Sequence, residues 1–224
     1  MPGPEHLWNA VDAYFTDALG VEDPLLAAAL RSSQEAGLPP INVSPNQGRM
    51  LMLLAQMCSS RRILEVGTLG GYSTIFLARA LPEGGSLISL ELDAHHAEVA
   101  IANIERAGLS DRVEVRVGPA IESLDRMQAD GAGPFDFVFI DADKPSNADY
   151  FQAALAMSHP GSVIVVDNVV RNGAVGDLSS TDPAVEGVRR LNRLLEAETR
   201  VSATAIQTVG VKGYDGFLLA RVNS

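Results

Sequence analysis

The sequence predicts an α/β protein with a mostly parallel sheet and helices on both of its faces. Short apolar runs that end in glycine or an acidic residue alternate with segments of helical spacing, and short connections join them. This alternation is typical of parallel sheets, because successive parallel strands need a crossover between them. The last two apolar runs, Val201 to Val209 and Phe217 to Val222, have no helix between them and predict an antiparallel hairpin at the sheet edge.

A single domain over residues 1–224 is expected, because this length supports one sizeable core and no linker or repeat divides the chain. Two helical segments occupy residues 1–40, and Asp23 followed by Pro24 predicts the start of the second. The apolar spacing around Trp8 leaves two interpretations of these helices open. They either pack on the core, which spans residues 41–222, or form a contact between subunits.

Composition limits the classes of partner. The formal net charge is −11, and nucleic-acid-binding proteins normally present a basic surface instead. The densest basic cluster, Arg189, Arg190 and Arg193, alternates with glutamates and predicts a solvated helix face with ion pairs. An RNA contact at that cluster is the minority interpretation.

The compartment is predicted to be the cytoplasm. No apolar run approaches the roughly 18 residues that a membrane span needs. The first residues show no basic start followed by an apolar stretch, so no secretory signal is expected there. The single cysteine, Cys58, excludes an internal disulfide and fits a reducing compartment.

A glycine turn between a strand and a helix predicts a nucleoside site. The apolar run Ile63 to Val66 ends at Gly67, and Gly70-Gly71 precedes the next helical segment. Ligands of open α/β sheets lie beyond the carboxyl ends of such strands. Leu69 stands where a dinucleotide fingerprint has its second glycine, and no lysine follows as in a P-loop. Glu91 ends the next apolar run, where a carboxylate can accept hydrogen bonds from both ribose hydroxyls.

Acidic and amide side chains end the next two buried strands. Asp141 follows the most apolar run of the chain, and Asp167-Asn168 follows the run after it. Two carboxylates and an amide oxygen suit Mg²⁺, and the lack of histidine and thiol ligands argues against zinc. Helix capping by Asp141 and a local turn at Asp167-Asn168 are the structural alternatives.

Three motifs together resemble one family. They are Glu65-Val-Gly-Thr-Leu-Gly-Gly-Tyr-Ser, the segment Phe-Ile-Asp-Ala-Asp-Lys around Asp141, and Val-Val-Asp-Asn-Val-Val around Asp167. Over residues 41–221 the chain resembles the cation-dependent, S-adenosylmethionine-dependent O-methyltransferases of the bacterial type, a group that includes catechol and caffeoyl-CoA O-methyltransferases. The resemblance implies a Rossmann-like class I methyltransferase fold with a seven-stranded sheet, and a homodimer.

The resemblance also assigns roles to residues. Asp141, Asp167 and Asn168 would ligate a divalent cation, Mg²⁺ or another such as Mn²⁺ or Ca²⁺. Lys144 would be the catalytic base, with Asp141 as its catalytic neighbour; the alternative is a structural Lys144, paired with Asp143 or Asp149. The residues implied for the S-adenosylmethionine site are Val43, Glu65, Gly67, Thr68, Ser73, Glu91, Ala120 and Asp141.

The expected activity is methyl transfer to a hydroxyl of a small vicinal diphenol, such as a catechol or a hydroxycinnamoyl compound. Arg171 departs from the family pattern, which often has Trp or another apolar residue there. Three alternatives remain: methylation of a hydroxylated uridine in tRNA by the same chemistry, a non-catalytic S-adenosylmethionine-binding module, and a nicotinamide-dependent oxidoreductase. Leu69 argues against the last of these.

Overall fold

The computed structural model describes residues 4–224, in which the chain forms seven strands and eight α-helices. Residues 1–3, the start of the expected single domain and of its N-terminal segment, lie outside the described part. The strands are β1 (Arg62–Val66), β2 (Ser86–Glu91), β3 (Val113–Val117), β4 (Phe135–Ile140), β5 (Ser158–Asp167), β6 (Val201–Gly210) and β7 (Gly213–Val222). The helices are α1 (Pro4–Ala18), α2 (Pro24–Glu35), α3 (Pro45–Met57), α4 (Tyr72–Ala80), α5 (Ala94–Arg106), α6 (Ala120–Ala129), α7 (Asn147–Ala156) and α8 (Pro183–Ala197).

The seven strands form one sheet in the order β3-β2-β1-β4-β5-β7-β6. Strands β1 to β5 pair in parallel, whereas β7 runs antiparallel to β5 and to β6. The predicted fold is confirmed. The hairpin turn is shorter than the expected segment from Gly210 to Gly216, because Gly213 to Gly216 still pair with β6.

Both faces of the sheet are covered, which explains the apolar runs of the sequence. On one face Ile63, Phe137 and Phe139 pack with α2, α3, α4 and α5. On the other face Leu64 and Val138 pack with α6, α7 and α8. Alternate residues of β1 and β4 therefore enter different cores, as the two-residue period of a strand requires.

Short polar side chains cap the N-termini of α2 and α3. The Asp23 carboxylate accepts hydrogen bonds from the amides of Leu25 and Leu26, at 2.9 and 3.0 Å, which confirms the predicted start of α2. The Ser44 hydroxyl accepts from the Gln47 amide at 3.2 Å and begins α3. Because capping satisfies amides that lack a partner within the helix, these residues fix where each helix begins.

Helix α1 lies at the periphery, and none of its residues is buried. It is held by Asp12, whose Oδ2 accepts from the amide of Val211 at 2.8 Å and whose Oδ1 accepts from Asn46 Nδ2 at 3.2 Å. The helix therefore contacts the β6–β7 turn and α3 but adds little to the core. None of the helices within residues 4–224 combines the length and the apolar character needed to cross a membrane.

Gly67 sets how closely the chain after β1 approaches the chain after β4 at the carboxyl ends of these strands. Its φ is +101°, and a Cβ at this position would lie 2.2 Å from the carbonyl oxygen of Asp141. Only glycine accepts this backbone conformation at little cost, and only glycine leaves room for that carbonyl. The glycine turn and the first acidic residue of the predicted metal site are therefore neighbours.

We predict that Gly67→Ala destabilises the protein more than Gly108→Ala does. Both glycines have positive φ, but a Cβ at Gly108 meets nothing within 4 Å. The free energy of unfolding of Gly108→Ala should therefore fall by only roughly 1–2 kcal/mol, the cost of placing alanine in the left-handed region. That of Gly67→Ala should fall further because of the contact with Asp141. Urea unfolding measures both free energies. Equal losses would show that the close approach of β1 and β4 adds no constraint.

Candidate active site

A cleft of about 610 Å³ opens at the carboxyl ends of β1, β2, β4 and β5. It brings together most of the residues selected from the sequence, which come from distant parts of the chain. Those that line it are Val43, Gly67, Thr68, Ser73, Glu91, Ala120, Asp141, Lys144 and Asn168. Glu65 and Asp167 are not among its lining residues.

Glu91 braces the glycine turn at one end of the cleft. Its Oε2 accepts hydrogen bonds from the amides of Thr68 and Leu69, at 3.1 and 2.8 Å. Its Oε1 accepts from the amide of Asp93 at 2.9 Å, and the residue is 8 % exposed. A carboxylate has about four acceptor positions, so about one remains to accept from a ribose hydroxyl in the cleft.

Glu65 lies beneath the same turn and is completely buried. Its carboxylate accepts from the hydroxyls of Ser73, Thr74 and Ser89, at 2.6, 2.5 and 2.6 Å. Burial raises the pKa of Glu65 to about 7, although these three hydroxyls oppose the shift. The residue therefore joins β1 to the start of α4 and to β2, and it acts on the cleft through Ser73, which lines it.

Asp141 and Lys144 form a close pair in the middle of the cleft. Lys144 Nζ donates to Asp141 Oδ1 at 2.6 Å, and the Lys144 side chain is only 11 % exposed. The alternative partners of Lys144 are engaged elsewhere, since Asp143 accepts from Ser146 and Tyr150, and Asp149 accepts from Arg190. The recorded side-chain bond of Asp141 is to Lys144, not to an amide of the following helix, so helix capping does not explain this residue.

Asp167 and Asn168 lie at the end of the neighbouring strand β5. Asp167 is 5 % exposed, and its Oδ1 accepts from the Asn168 amide at 2.9 Å, a local turn contact of the kind expected. Burial raises the pKa of Asp167, the negative charge of Asp141 adds to the shift, and Lys144 opposes it. The three charged side chains are therefore close enough to interact electrostatically.

A second cavity, of about 230 Å³, adjoins the cleft at Asn168. Asn168 has a φ of +58°, a left-handed conformation that Asn tolerates better than most residues, and it lines both cavities. Asp167, Gln47 and Lys212 line the second cavity. The two acidic residues selected from the sequence therefore open to different cavities, and Asn168 lies where these meet.

The donor set fits a hard divalent cation. Two carboxylates that repel each other are held near one ammonium group, and burial makes an unpaired charge costly. Oxygen ligands of this kind suit Mg²⁺, Mn²⁺ or Ca²⁺. Within residues 4–224 no cluster of three or more His, Cys, Asp or Glu side chains could hold a metal, so the set depends on the Asn168 amide.

Several residues near the site were not selected from the sequence, because they belong to no recognisable motif. Lys212, in the β6–β7 turn, donates to the carbonyl of Pro40 at 3.0 Å and so joins the hairpin to the start of the core. His96 lines the cleft with its Nδ1 3.7 Å from Glu91 Oε1. Gln47 lies in the first turn of α3 and lines the second cavity.

Known proteins of similar sequence and structure are O-methyltransferases. The sequence profile of the O-methyltransferase family matches residues 17–222. A catechol O-methyltransferase of Niastella koreensis is 57 % identical over 96 % of this chain and 98 % of its own length, and one of Mycobacterium tuberculosis is 50 % identical over 95 % and 94 %. The crystal structure of the O-methyltransferase from Bacillus cereus in complex with SAH superposes with a TM-score of 0.96 at 54 % identity, covering 97 % of this chain and 99 % of that one.

We predict that Glu65 makes the folded state less stable as pH rises from about 4.5 to about 7. The pKa of Glu65 is raised on folding, so the folded state holds the proton over this range while the unfolded state has lost it. Each pH unit crossed should cost about 1.4 kcal/mol. The isosteric variant Glu65→Gln should lack this contribution.

Chemical unfolding at several pH values measures the effect as the difference between the wild type and Glu65→Gln. Glu114→Gln is the matched control, because Glu114 lies exposed on β3 in a pair with Arg116. Its free energy of unfolding should follow the wild type between pH 5 and 7. Parallel curves for the wild type and Glu65→Gln would contradict the raised pKa.

Proposed function

The chain belongs to the O-methyltransferase family and is an S-adenosylmethionine-dependent O-methyltransferase, and we propose that it methylates a hydroxyl of a small vicinal diphenol with a divalent cation. The observation that carries the proposal is the placement of Asp141, Lys144 and Asn168 in one cleft with the glycine turn. The two catechol O-methyltransferases of high identity support the class of acceptor.

The sheet order supports one direction for the methyl donor in the cleft. Glu91 ends β2, Gly67 follows β1, and Asp141 follows β4, and these three strands are neighbours in the sheet. With the ribose at Glu91, the methionine part of the donor would extend past Gly67 towards Asp141. Thr68, Ser73, Val43 and Ala120 are proposed to line its path, and Glu65 to support the turn from below.

Asp141, Asp167 and Asn168 are the residues proposed to hold the divalent cation. When bound, the cation would stabilise the ionised form of a phenol hydroxyl that it ligates. The protein's own contribution is to hold two carboxylates close together at the ends of β4 and β5, where a cation would favour their ionised forms. Burial of Asp167 excludes water from that position and strengthens each electrostatic interaction there.

Lys144 is proposed to accept the proton of the acceptor hydroxyl at Nζ, once its ammonium group has lost a proton to solvent and carries a lone pair. A phenol has a pKa of about 10 and is mostly neutral at pH 7, so the reaction needs a group that takes the proton. Asp141 holds Lys144 Nζ at 2.6 Å and so fixes its position in the cleft. The acceptor oxygen then attacks the sulfonium methyl in line, the carbon–sulfur bond breaks, and S-adenosylhomocysteine leaves with the bonding electron pair.

We also propose a homodimer in which α1 contributes to the subunit contact. Five large apolar side chains of α1 and its end are 44–66 % exposed: Leu7, Val11, Tyr14, Phe15 and Leu19. Exposed apolar patches on this scale are typical of interfaces. Analytical ultracentrifugation tests the assembly, and a monomer at micromolar concentration would contradict it. A cytoplasmic location is proposed with it, supported by the single free cysteine, Cys58.

One acceptor panel tests the function. The protein is incubated with labelled S-adenosylmethionine and catechol, a hydroxycinnamate or tRNA, each with Mg²⁺ or with excess EDTA. We expect methylated diphenols with Mg²⁺, almost none with EDTA, and recovery when Mg²⁺ is restored. Transfer to tRNA alone would support the hydroxyuridine alternative, transfer to none would support a non-catalytic module, and full activity in EDTA would remove the cation from the reaction.

We predict that Lys144→Met lowers kcat for catechol by roughly 10²- to 10⁴-fold, the usual contribution of a positioned acid or base. Calorimetric binding of S-adenosylhomocysteine should change little, because Glu91 and the glycine turn remain. Arg190→Met is the matched control, since this exposed side chain pairs with Asp149 on the surface. Wild-type turnover in Lys144→Met would remove Lys144 from the mechanism.

A further inference from the structure

We propose that Arg171 selects diphenols that carry a carboxylate on the ring or on a short side chain. The inference rests on the proposed function and names the substrate class of that same site. Arg171 lines the cleft three residues after Asn168, at the end of β5. An acceptor bound at Asn168 would therefore lie within reach of a guanidinium group.

Within the described part of the chain, the Arg171 guanidinium has few hydrogen-bond or ion-pair partners. Its nearest acidic partner is Asp215, with Arg171 Nη1 3.9 Å from Asp215 Oδ2, which is too long for a hydrogen bond. Arg171 Nε is buried and has no hydrogen-bond partner. The Arg171 side chain as a whole is 33 % exposed, so part of it is accessible to a ligand in the cleft.

Asp215 is occupied with the backbone instead. Its Oδ1 accepts from the amides of Val170, Arg171 and Gly216, at 2.9, 3.0 and 3.0 Å. These bonds hold the chain just after Asn168 against the start of β7. Asp215 therefore fixes the backbone of Arg171 while leaving most of the guanidinium free for another anion.

The backbone at Arg171 is held in an unfavourable conformation. Arg171 and Asn172 have φ values of +55° and +54°, and Gly173 follows at +83°. Non-glycine residues in this region cost on the order of 1–3 kcal/mol each, and they persist where the surroundings enforce them. Here the enforced conformation places a cationic side chain in the cleft. Strained residues of this kind are concentrated at ligand-binding and active sites.

The position in the sheet favours the acceptor over the cofactor as the anion. From β2 to β1, β4 and β5, the cleft passes Glu91, then Gly67, then Asp141, then Asn168 and Arg171. Arg171 is thus three strand spacings from the proposed ribose position, or about 14 Å. It lies on the far side of Asp141 and Lys144, where the group that receives the methyl must be.

The charges of the cleft point to the same ligand. Lys144 and Arg171 are the Lys and Arg side chains that line the cleft in the described chain, and Lys144 is committed to Asp141. The cation of the second cavity, Lys212, donates to the Pro40 carbonyl. Arg171 is therefore the cleft cation best able to form a charge-assisted pair with a carboxylate. A planar guanidinium can donate two parallel hydrogen bonds to the two oxygens of that group.

The experiment compares 3,4-dihydroxybenzoate with its uncharged amide, and uses unsubstituted catechol as the internal control for folding and chemistry. The measured quantity is the acid-to-amide ratio of kcat/KM. We expect Arg171→Met to lower this ratio by about tenfold or more, the usual loss of a charged hydrogen bond, while kcat/KM for catechol stays within about threefold. Arg171→Lys should give an intermediate ratio.

Arg116→Met is the matched control, since Arg116 pairs with Glu114 on exposed β3, and its ratio should equal the wild type's. An unchanged ratio in Arg171→Met would overturn the proposal, as would an equal loss with all three acceptors or a matching loss of S-adenosylhomocysteine affinity by calorimetry. If Arg171→Met does not fold, a wild-type ratio in Arg171→Lys overturns it. If the wild type methylates none of the three, the proposed function itself fails, and this inference fails with it.

Discussion

The site depends on the closeness of two carboxylates at the ends of adjacent parallel strands. Asp141 follows β4 and Asp167 ends β5, and the pKa of Asp167 is raised by its burial and by the negative charge of Asp141. Folding tolerates this arrangement because Lys144 is bonded to Asp141 and its positive charge also favours the ionised form of Asp167. A binding site for a divalent cation needs this kind of stored repulsion, since an ion that relieves it gains affinity.

Residues around the two carboxylates hold the strand ends in place without being part of the proposed cation site. Gly67 lets β1 approach Asp141, Glu65 ties the start of α4 to β1 and β2, and Glu91 holds the amides of the glycine turn. On the other side Asp215 holds the backbone that follows Asn168. Glu65 and Glu91 thus fix the proposed methyl-donor side of the cleft and Asp215 fixes the proposed acceptor side, and each of these carboxylates accepts several hydrogen bonds.

The fold and most of the cleft could be predicted because parallel strands place their carboxyl ends at one edge. A residue such as Asp141 needs only its position after an apolar run to be placed there. Glu65 shows the limit of this reasoning, since strand alternation does not tell whether a carboxylate at a strand end faces ligand or hydroxyls of its own chain. The bonds from Lys212 to Pro40 and from Val211 to Asp12 join segments more than 170 residues apart, so no local pattern contains them.

Anomalous diffraction from crystals grown with Mn²⁺ and S-adenosylhomocysteine would show whether Asp141, Asp167 and Asn168 hold one cation. We expect one strong manganese peak at about 2.0–2.4 Å from side-chain oxygens of these three residues. Lys144 Nζ should then face the remaining space of the cleft. A peak elsewhere, or no peak while Lys144 stays bonded to Asp141, would contradict a shared pocket for cation and methyl donor.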